Sequence, residues 1–169
     1  MMILSVASLI ISCLIQGMIS NYLGYTYTGV SIFSTLYILI NLLLLRPYFE
    51  NEKKYILLLI IFGLIVDIVF TNTFIFNTCL FLIIYFFSKV FHSFFPYNAI
   101  TLSVSNLLSI FIYHFLNFLT LTIIRYDSYT LSGLSTILSH SILMTIIYTC
   151  VLYYVLRLIR AKLQLRDVK

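Results

Sequence analysis

Long apolar runs alternate with short polar breaks along the whole chain. A helix that crosses a bilayer needs about 20 mainly apolar residues, and runs of about that length recur here. The pattern predicts an all-α integral membrane protein with six transmembrane helices in a single domain, residues 1–169. The predicted spans are residues 2–19, 30–45, 55–70, 74–91, 99–124 and 131–159.

The breaks between the runs contain residues that end helices. Arg46 and Pro47 close the second span, because proline cannot continue the helical hydrogen bonds, and residues 46–54 then form the first charged loop. Residues 71–73 (Thr-Asn-Thr) are the only polar break between the third and fourth spans, so the turn there is predicted to be very tight. Pro96 marks the boundary before the fifth span.

Three of the predicted helices carry small or polar residues on one face. Serines spaced four apart on the first and last spans let another helix approach closely. The fifth span is the most polar, and its polar residues recur every three or four positions, so they share a face that turns toward protein or a cavity. We treat these faces as candidate helix-docking surfaces. Their residues are Ser8, Ser12, Asn106, Tyr113, Asn117, Ser135 and Ser139.

Composition favours a membrane location. Of the 169 residues, 62% are apolar and 9% are charged, and the mean hydropathy is +1.10, as expected of a membrane protein. No residue before Arg46 is charged, and we find no cleavage site after the first apolar run, so we expect that run to stay as a membrane anchor. Cys13, Cys79 and Cys150 lie in apolar runs and are predicted to be small buried hydrophobes.

Basic residues predict the orientation. With the N-terminus inside and six crossings, nine of the ten basic residues fall on the cytoplasmic side and only Arg125 falls outside. Both termini are then cytoplasmic, and the last span ends in a short basic tail that suits anionic lipid or an acidic protein. The net charge of +5 therefore requires no nucleic-acid partner. The cytoplasmic basic residues are Arg46, Lys53, Lys54, Lys89, Arg157, Arg160, Lys162, Arg166 and Lys169.

Asp67 is the only carboxylate inside a long apolar run. An acidic group near the centre of a membrane helix raises the free energy of insertion by about 2.5–3.5 kcal/mol. It is therefore normally found where a partner group or the protein interior surrounds it. Alternatively, Asp67 lies about 18 Å along a helix starting at Tyr55, just under the far headgroups, where the cost is small. Asn77 flanks the same turn, and a hydrogen bond from Asn77, or from the free amides that start the fourth helix, is a geometrically plausible hypothesis.

The sequence has none of the common catalytic or metal-binding motifs, such as HExxH or Gly-x-Ser-x-Gly. Isolated histidines such as His114 and His140 are more often hydrogen-bonding residues than proton relays. We find no internal repeat of the kind that transporters usually have. We therefore expect no enzyme activity, no catalytic, cofactor-binding or metal-binding residues, and no small-molecule ligand.

The stretch Gly63-Leu-Ile-Val-Asp67, followed ten residues later by Asn77 and by a long apolar helix with a basic end, resembles the signature of the rod-shape-determining MreD family. The specific motif covers about fifteen residues, whereas the size and span number agree over the whole chain. The resemblance implies that Gly63, Asp67 and Asn77 shape the hairpin between spans three and four.

The family resemblance also implies a fold and a set of partners. The fold would be similar to the substrate-binding subunits of energy-coupling-factor transporters. The protein would be a non-enzymatic scaffold of the bacterial inner membrane, in the machinery that elongates the cell wall. Its expected partners are MreC directly, the glycosyltransferase RodA with its transpeptidase, and MreB filaments indirectly.

A vitamin-binding subunit of an energy-coupling-factor transporter is the alternative. A six-helix chain of this size with a polar face on span five is able to enclose a ligand pocket. The first helix of such subunits usually carries alanines four apart for docking, and here Ser8 and Ser12 occupy that spacing. The two functions predict different losses on depletion, of cell shape in one case and of vitamin uptake in the other.

Overall fold

The regular structure is helical throughout the described residues, which are 2–22, 36–49, 51–124 and 131–162 of a computed structural model. The prediction of an all-α fold is confirmed for this part of the chain. A 3-10 turn, Arg46–Tyr48, follows the second helix, and a π-helical segment, Val66–Thr71, continues the third. The α-helices are α1 (Met2–Tyr22), α2 (Tyr37–Leu45), α3 (Glu52–Ile65), α4 (Phe76–Phe94), α5 (Ala99–Ile123) and α6 (Leu131–Lys162).

Four of these helical segments are long and apolar enough to cross a membrane. They are Glu52–Thr71, Phe76–Phe94, Ala99–Ile123 and Leu131–Ile159. The first two predicted spans correspond to shorter apolar helices, Leu4–Ile19 and Tyr37–Tyr48, within the described residues. Residues 30–35 of the second span and residues 163–169 of the predicted tail lie outside the described part.

Helix α2 lies at the centre of the bundle. All nine of its residues are buried, and it packs against α1, α4, α5 and α6. Its sequence, Tyr-Ile-Leu-Ile-Asn-Leu-Leu-Leu-Leu, is apolar all round except for Asn41, which is typical of a fully enclosed helix. It ends at Leu45, and Pro47 lies in the 3-10 turn that follows, as the sequence predicts.

The prediction of a charged loop over residues 46–54 is wrong for residues 52–54. Helix α3 begins at Glu52, so Lys53 and Lys54 lie in its first turn. Asn51 causes the early start, because its side-chain oxygen accepts a hydrogen bond from the Lys53 main-chain N–H at 3.0 Å and caps the helix.

The outward faces of the long helices are apolar. Ile68, Phe86 and Val90 are examples of side chains that are more than half exposed. An aqueous protein rarely leaves a continuous apolar surface, whereas a bilayer favours one. Cys79 also lies on this outward surface, so the prediction that it is buried is wrong.

The Asp67 hairpin as the candidate functional site

The turn between α3 and α4 begins with a widened helix. From Val66 to Thr71 the chain is π-helical, and the main-chain carbonyl of Asp67 accepts from the N–H of Asn72 and, at 3.0 Å, from that of Thr73. Asn72 and Ile75 both have positive φ, 50° and 61°. Isoleucine rarely adopts this left-handed conformation, so the turn holds Ile75 in a strained state. Single-turn π segments of this kind are frequent at functional sites.

The Asp67 carboxylate lies at the centre of this turn and is 0% exposed. One oxygen, Oδ1, accepts from the Thr73 hydroxyl at 2.6 Å and from the main-chain and side-chain N–H groups of Asn77 at 2.8 and 3.0 Å. The other, Oδ2, accepts from the main-chain N–H of Thr78 at 3.0 Å and from its hydroxyl at 2.7 Å. The hydrogen bonds hypothesised from the sequence, to Asn77 and to the first amides of the fourth helix, are thus both present.

Asn77 connects the turn to a third helix. Its side-chain amide donates to Asp67 and, at 2.8 Å, to the Thr71 hydroxyl, while its carbonyl oxygen accepts from the Tyr113 hydroxyl on α5. Asn77 and Tyr113 are both 1% exposed. A buried polar network with its groups paired rigidifies the elements that it joins. The hairpin is therefore fastened to α5 as well as to itself.

Gly63 lets α3 and α4 approach each other beside this network. A Cβ built on Gly63 would lie 2.9 Å from both Cα and Oγ1 of Thr78. No other residue type fits without moving the α4 backbone. The contact places the Thr78 hydroxyl against Asp67, so Gly63, Asp67, Asn77 and Thr78 form one cluster, which we call the Asp67 cluster.

Most of the predicted helix-docking residues pack against helices of the same chain. The side-chain amide of Asn41 on α2 donates to Ser8 at 2.9 Å and to Ser12 at 2.6 Å, and Ser12 also hydrogen-bonds the Tyr148 hydroxyl of α6 at 2.8 Å. Asn106 donates to Thr149 at 3.1 Å.

The remaining docking residues divide between the interior and the surface. Asn117 on α5 is buried. Ser135 and Ser139, by contrast, are exposed on α6 and donate only to carbonyls of their own helix among the hydrogen bonds described. Among the seven predicted docking residues, only these two serines are exposed.

A second polar cluster, not predicted from the sequence, lies at the opposite end of α3 and α4. Glu52 forms an ion pair with Lys89 and accepts from the Tyr85 hydroxyl. Arg46 donates to the Tyr97 hydroxyl and lies 5.8 Å from the centre of the Tyr85 ring. Burial raises the pKa of the Tyr97 phenol, and the Arg46 charge partly offsets that rise. We call these residues the basic-end cluster.

The Asp67 cluster has the chemistry of a structural site. Its donors fill both carboxylate oxygens, and the described residues include no group of three His, Cys, Asp or Glu side chains placed to hold a metal ion. His114 is buried on α5 next to Tyr113, and the side chain of His140 lies outside the described residues. What the cluster does is hold two antiparallel helices and α5 in a fixed arrangement.

The described residues form an all-helical protein with several helices that are able to cross a membrane. This fold is consistent with a multi-pass membrane protein. Comparison with known protein families, with curated proteins and with solved structures finds no match.

Proposed function

We propose that this chain is a non-enzymatic scaffold of the bacterial cell-wall elongation machinery, of the MreD type. In this proposal it crosses the inner membrane six times with both termini in the cytoplasm. It binds MreC directly and, through that contact, links MreB filaments to RodA and its transpeptidase. Packing between helices holds the partners together, and no covalent bond is made or broken.

The observation that carries the proposal is the Asp67 cluster. The three residues on which the family resemblance rests, Gly63, Asp67 and Asn77, lie in one buried cluster. Asn77 donates to Asp67, and Gly63 packs against Thr78, which is another donor to Asp67. A carboxylate whose oxygens are both filled by donors fixes a shape and is poorly placed to move protons. Such a hairpin suits a protein that presents a rigid surface to partners.

The distribution of charge supports the six-span topology. Arg46 directly follows α2, Lys53 lies in the first turn of α3, and Lys89 lies near the end of α4. Contacts between Glu52 and Lys89 and between Arg46 and Tyr97 bring these positions to one end of the bundle, opposite the Asp67 cluster. Basic residues favour the cytoplasmic side of a membrane, so we assign this end to the cytoplasm.

Co-purification tests the scaffold directly. The tagged full chain, expressed in its own cells, should retain the MreC-type protein encoded in the same genome, and its depletion should turn rod-shaped cells round without changing vitamin uptake. A loss of uptake of one vitamin with normal cell shape would instead support the alternative, a substrate-binding subunit of an energy-coupling-factor transporter. Normal shape together with no MreC retained would overturn the scaffold proposal.

A further inference from the structure

An apolar groove of about 670 Å³ runs along the outer surface between α1 and α3. Its walls include Ile10 and Leu14 of α1 and Leu57 and Ile61 of α3, each between 48% and 62% exposed. Lys54 is the one charged residue among those that line it. In a bilayer an apolar groove of this size is filled, either by lipid or by another protein.

The two ends of the groove differ. Lys54 lies at one end, in the first turn of α3. Toward the other end the Phe70 ring packs on Gly17, 3.7 Å from the position that a Gly17 Cβ would take, and so joins the π segment to α1. The Phe70–Gly17 contact therefore limits the groove toward the Asp67 cluster, and the one charged residue of the lining lies at the basic end.

The length of the groove matches one leaflet. From Lys54 to Ile65, the last α3 residue that lines it, the helix rises about 16 Å at the usual rise per residue. The hydrocarbon core of a bilayer is about 30 Å thick, so one leaflet is about half of that. A partner helix that crosses the whole membrane would meet the Phe70–Gly17 contact, whereas an acyl chain entering from the basic side would end before it.

Charge at the basic end of the groove selects the kind of lipid. Glu52, the nearest described carboxylate in sequence, is turned toward α4, where it pairs with Lys89 and Tyr85. Among the described residues no ion pair includes Lys54. An ammonium group at the headgroup level beside an apolar groove is complementary to a lipid with an anionic headgroup.

We propose that this groove is a binding site for an anionic phospholipid of the leaflet at the basic end. One acyl chain lies between α1 and α3, and the phosphate group pairs with Lys54. The site does not depend on the proposed scaffold function, since it rests on the groove, the Phe70–Gly17 contact and the position of one lysine.

Tryptophan fluorescence tests the site, because the chain contains no tryptophan. Leu14→Trp places a reporter in the groove, and Phe86→Trp places a matched one on the outward face of α4, where Phe86 is 55% exposed. The purified full-length chain is reconstituted in phosphatidylcholine bilayers containing phosphatidylglycerol, with bromine on the acyl chains of one lipid or the other. Brominated phosphatidylglycerol should quench the groove reporter with about a fivefold preference, equivalent to about 1 kcal/mol for one lysine. The α4 reporter should show no preference.

Two charge variants complete the test. Lys54→Gln should abolish the preference at the groove reporter, whereas Lys53→Gln, one residue away and outside the groove lining, should keep it. Equal quenching by the two lipids at Leu14→Trp, or a preference that survives Lys54→Gln, would overturn the proposal. A reporter shielded from both lipids would also overturn it, since a second copy of the chain would then cover the groove. Leu57→Trp provides a second groove reporter if Leu14→Trp does not fold.

Discussion

Asp67 illustrates how a carboxylate is kept inside an apolar helical bundle. Of the five donors that reach its two oxygens, four belong to Asn77 and Thr78, the second and third residues of α4. The first turn of α4 thus hydrogen-bonds the carboxylate that follows α3. Without the carboxylate, the main-chain N–H groups of Asn77 and Thr78 would be buried with no acceptor.

Replacing Asp67 by alanine should therefore weaken the fold. Each buried donor left unpaired costs about 1–3 kcal/mol, so we expect Asp67→Ala to lower the free energy of unfolding by about 2–4 kcal/mol while membrane insertion is preserved. Unfolding by denaturant in detergent micelles measures the loss, and membrane fractionation measures insertion. Ser135→Ala is the control, because it removes an exposed hydroxyl that donates to a carbonyl of its own helix and should cost much less. Equal losses in the two variants would contradict a structural role for Asp67.

A second prediction for a single residue concerns Gly63. A methyl group there would meet the Thr78 backbone at 2.9 Å, so Gly63→Ala must push α3 and α4 apart and should cost about 1–3 kcal/mol. Gly17→Ala is the control, because its nearest neighbour, the Phe70 ring, is 3.7 Å away, an ordinary contact. Melting temperatures of the two variants in the same detergent provide the comparison. A stable Gly63→Ala variant would mean that close packing at Thr78 is unnecessary.

At the scale of helices, the hairpin shows which contacts follow from sequence and which do not. A turn of a few residues forces α3 and α4 to run antiparallel, so a contact between Asp67 and Asn77 could be hypothesised from their spacing. The contacts of Gly63 and Thr78 depend on how each helix is rotated about its axis, which the spacing leaves open. The Glu52–Lys89 ion pair joins residues 37 positions apart. It depends on the start of α3 at Glu52, three residues before the predicted start of that span.

Tyr113 should couple α5 to the hairpin. Tyr113→Phe removes the hydroxyl that donates to Asn77 and leaves a buried acceptor unpaired, so we expect a loss of about 1–2 kcal/mol in the free energy of unfolding. Tyr154→Phe, on the exposed face of α6, should have little effect. In a variant that also carries Asp67→Ala, the Tyr113→Phe change should cost at least about 0.5 kcal/mol less, because the network is already broken. Strictly additive losses would show that α5 and the hairpin are independent.

For the whole molecule, the two polar clusters lie at opposite ends of an apolar bundle. The basic-end cluster contains Arg46, Glu52 and Lys89, and the other end contains the Asp67 cluster and the exposed turn with Phe74, which is 89% exposed. In the proposed orientation the cations face the cytoplasm and the turn lies on the far side of the membrane. The alternation of charge along the sequence predicts that these cations share one end of the bundle, since that requires only helix order and not the packing of particular side chains.

Cysteine labelling tests that orientation. In a chain whose three natural cysteines are replaced by serine, Lys53→Cys and Phe74→Cys each introduce one exposed thiol, at the basic end and at the hairpin turn. With positive charge retained inside, a membrane-impermeant maleimide should label Phe74→Cys in intact spheroplasts and Lys53→Cys only in inverted vesicles. Detergent-solubilised samples of both variants should be labelled fully, which controls for thiol reactivity. Labelling of Lys53→Cys from outside would show that the basic end faces away from the cytoplasm. The proposed orientation, which rests on the preference of basic residues for the cytoplasmic side, would then be wrong.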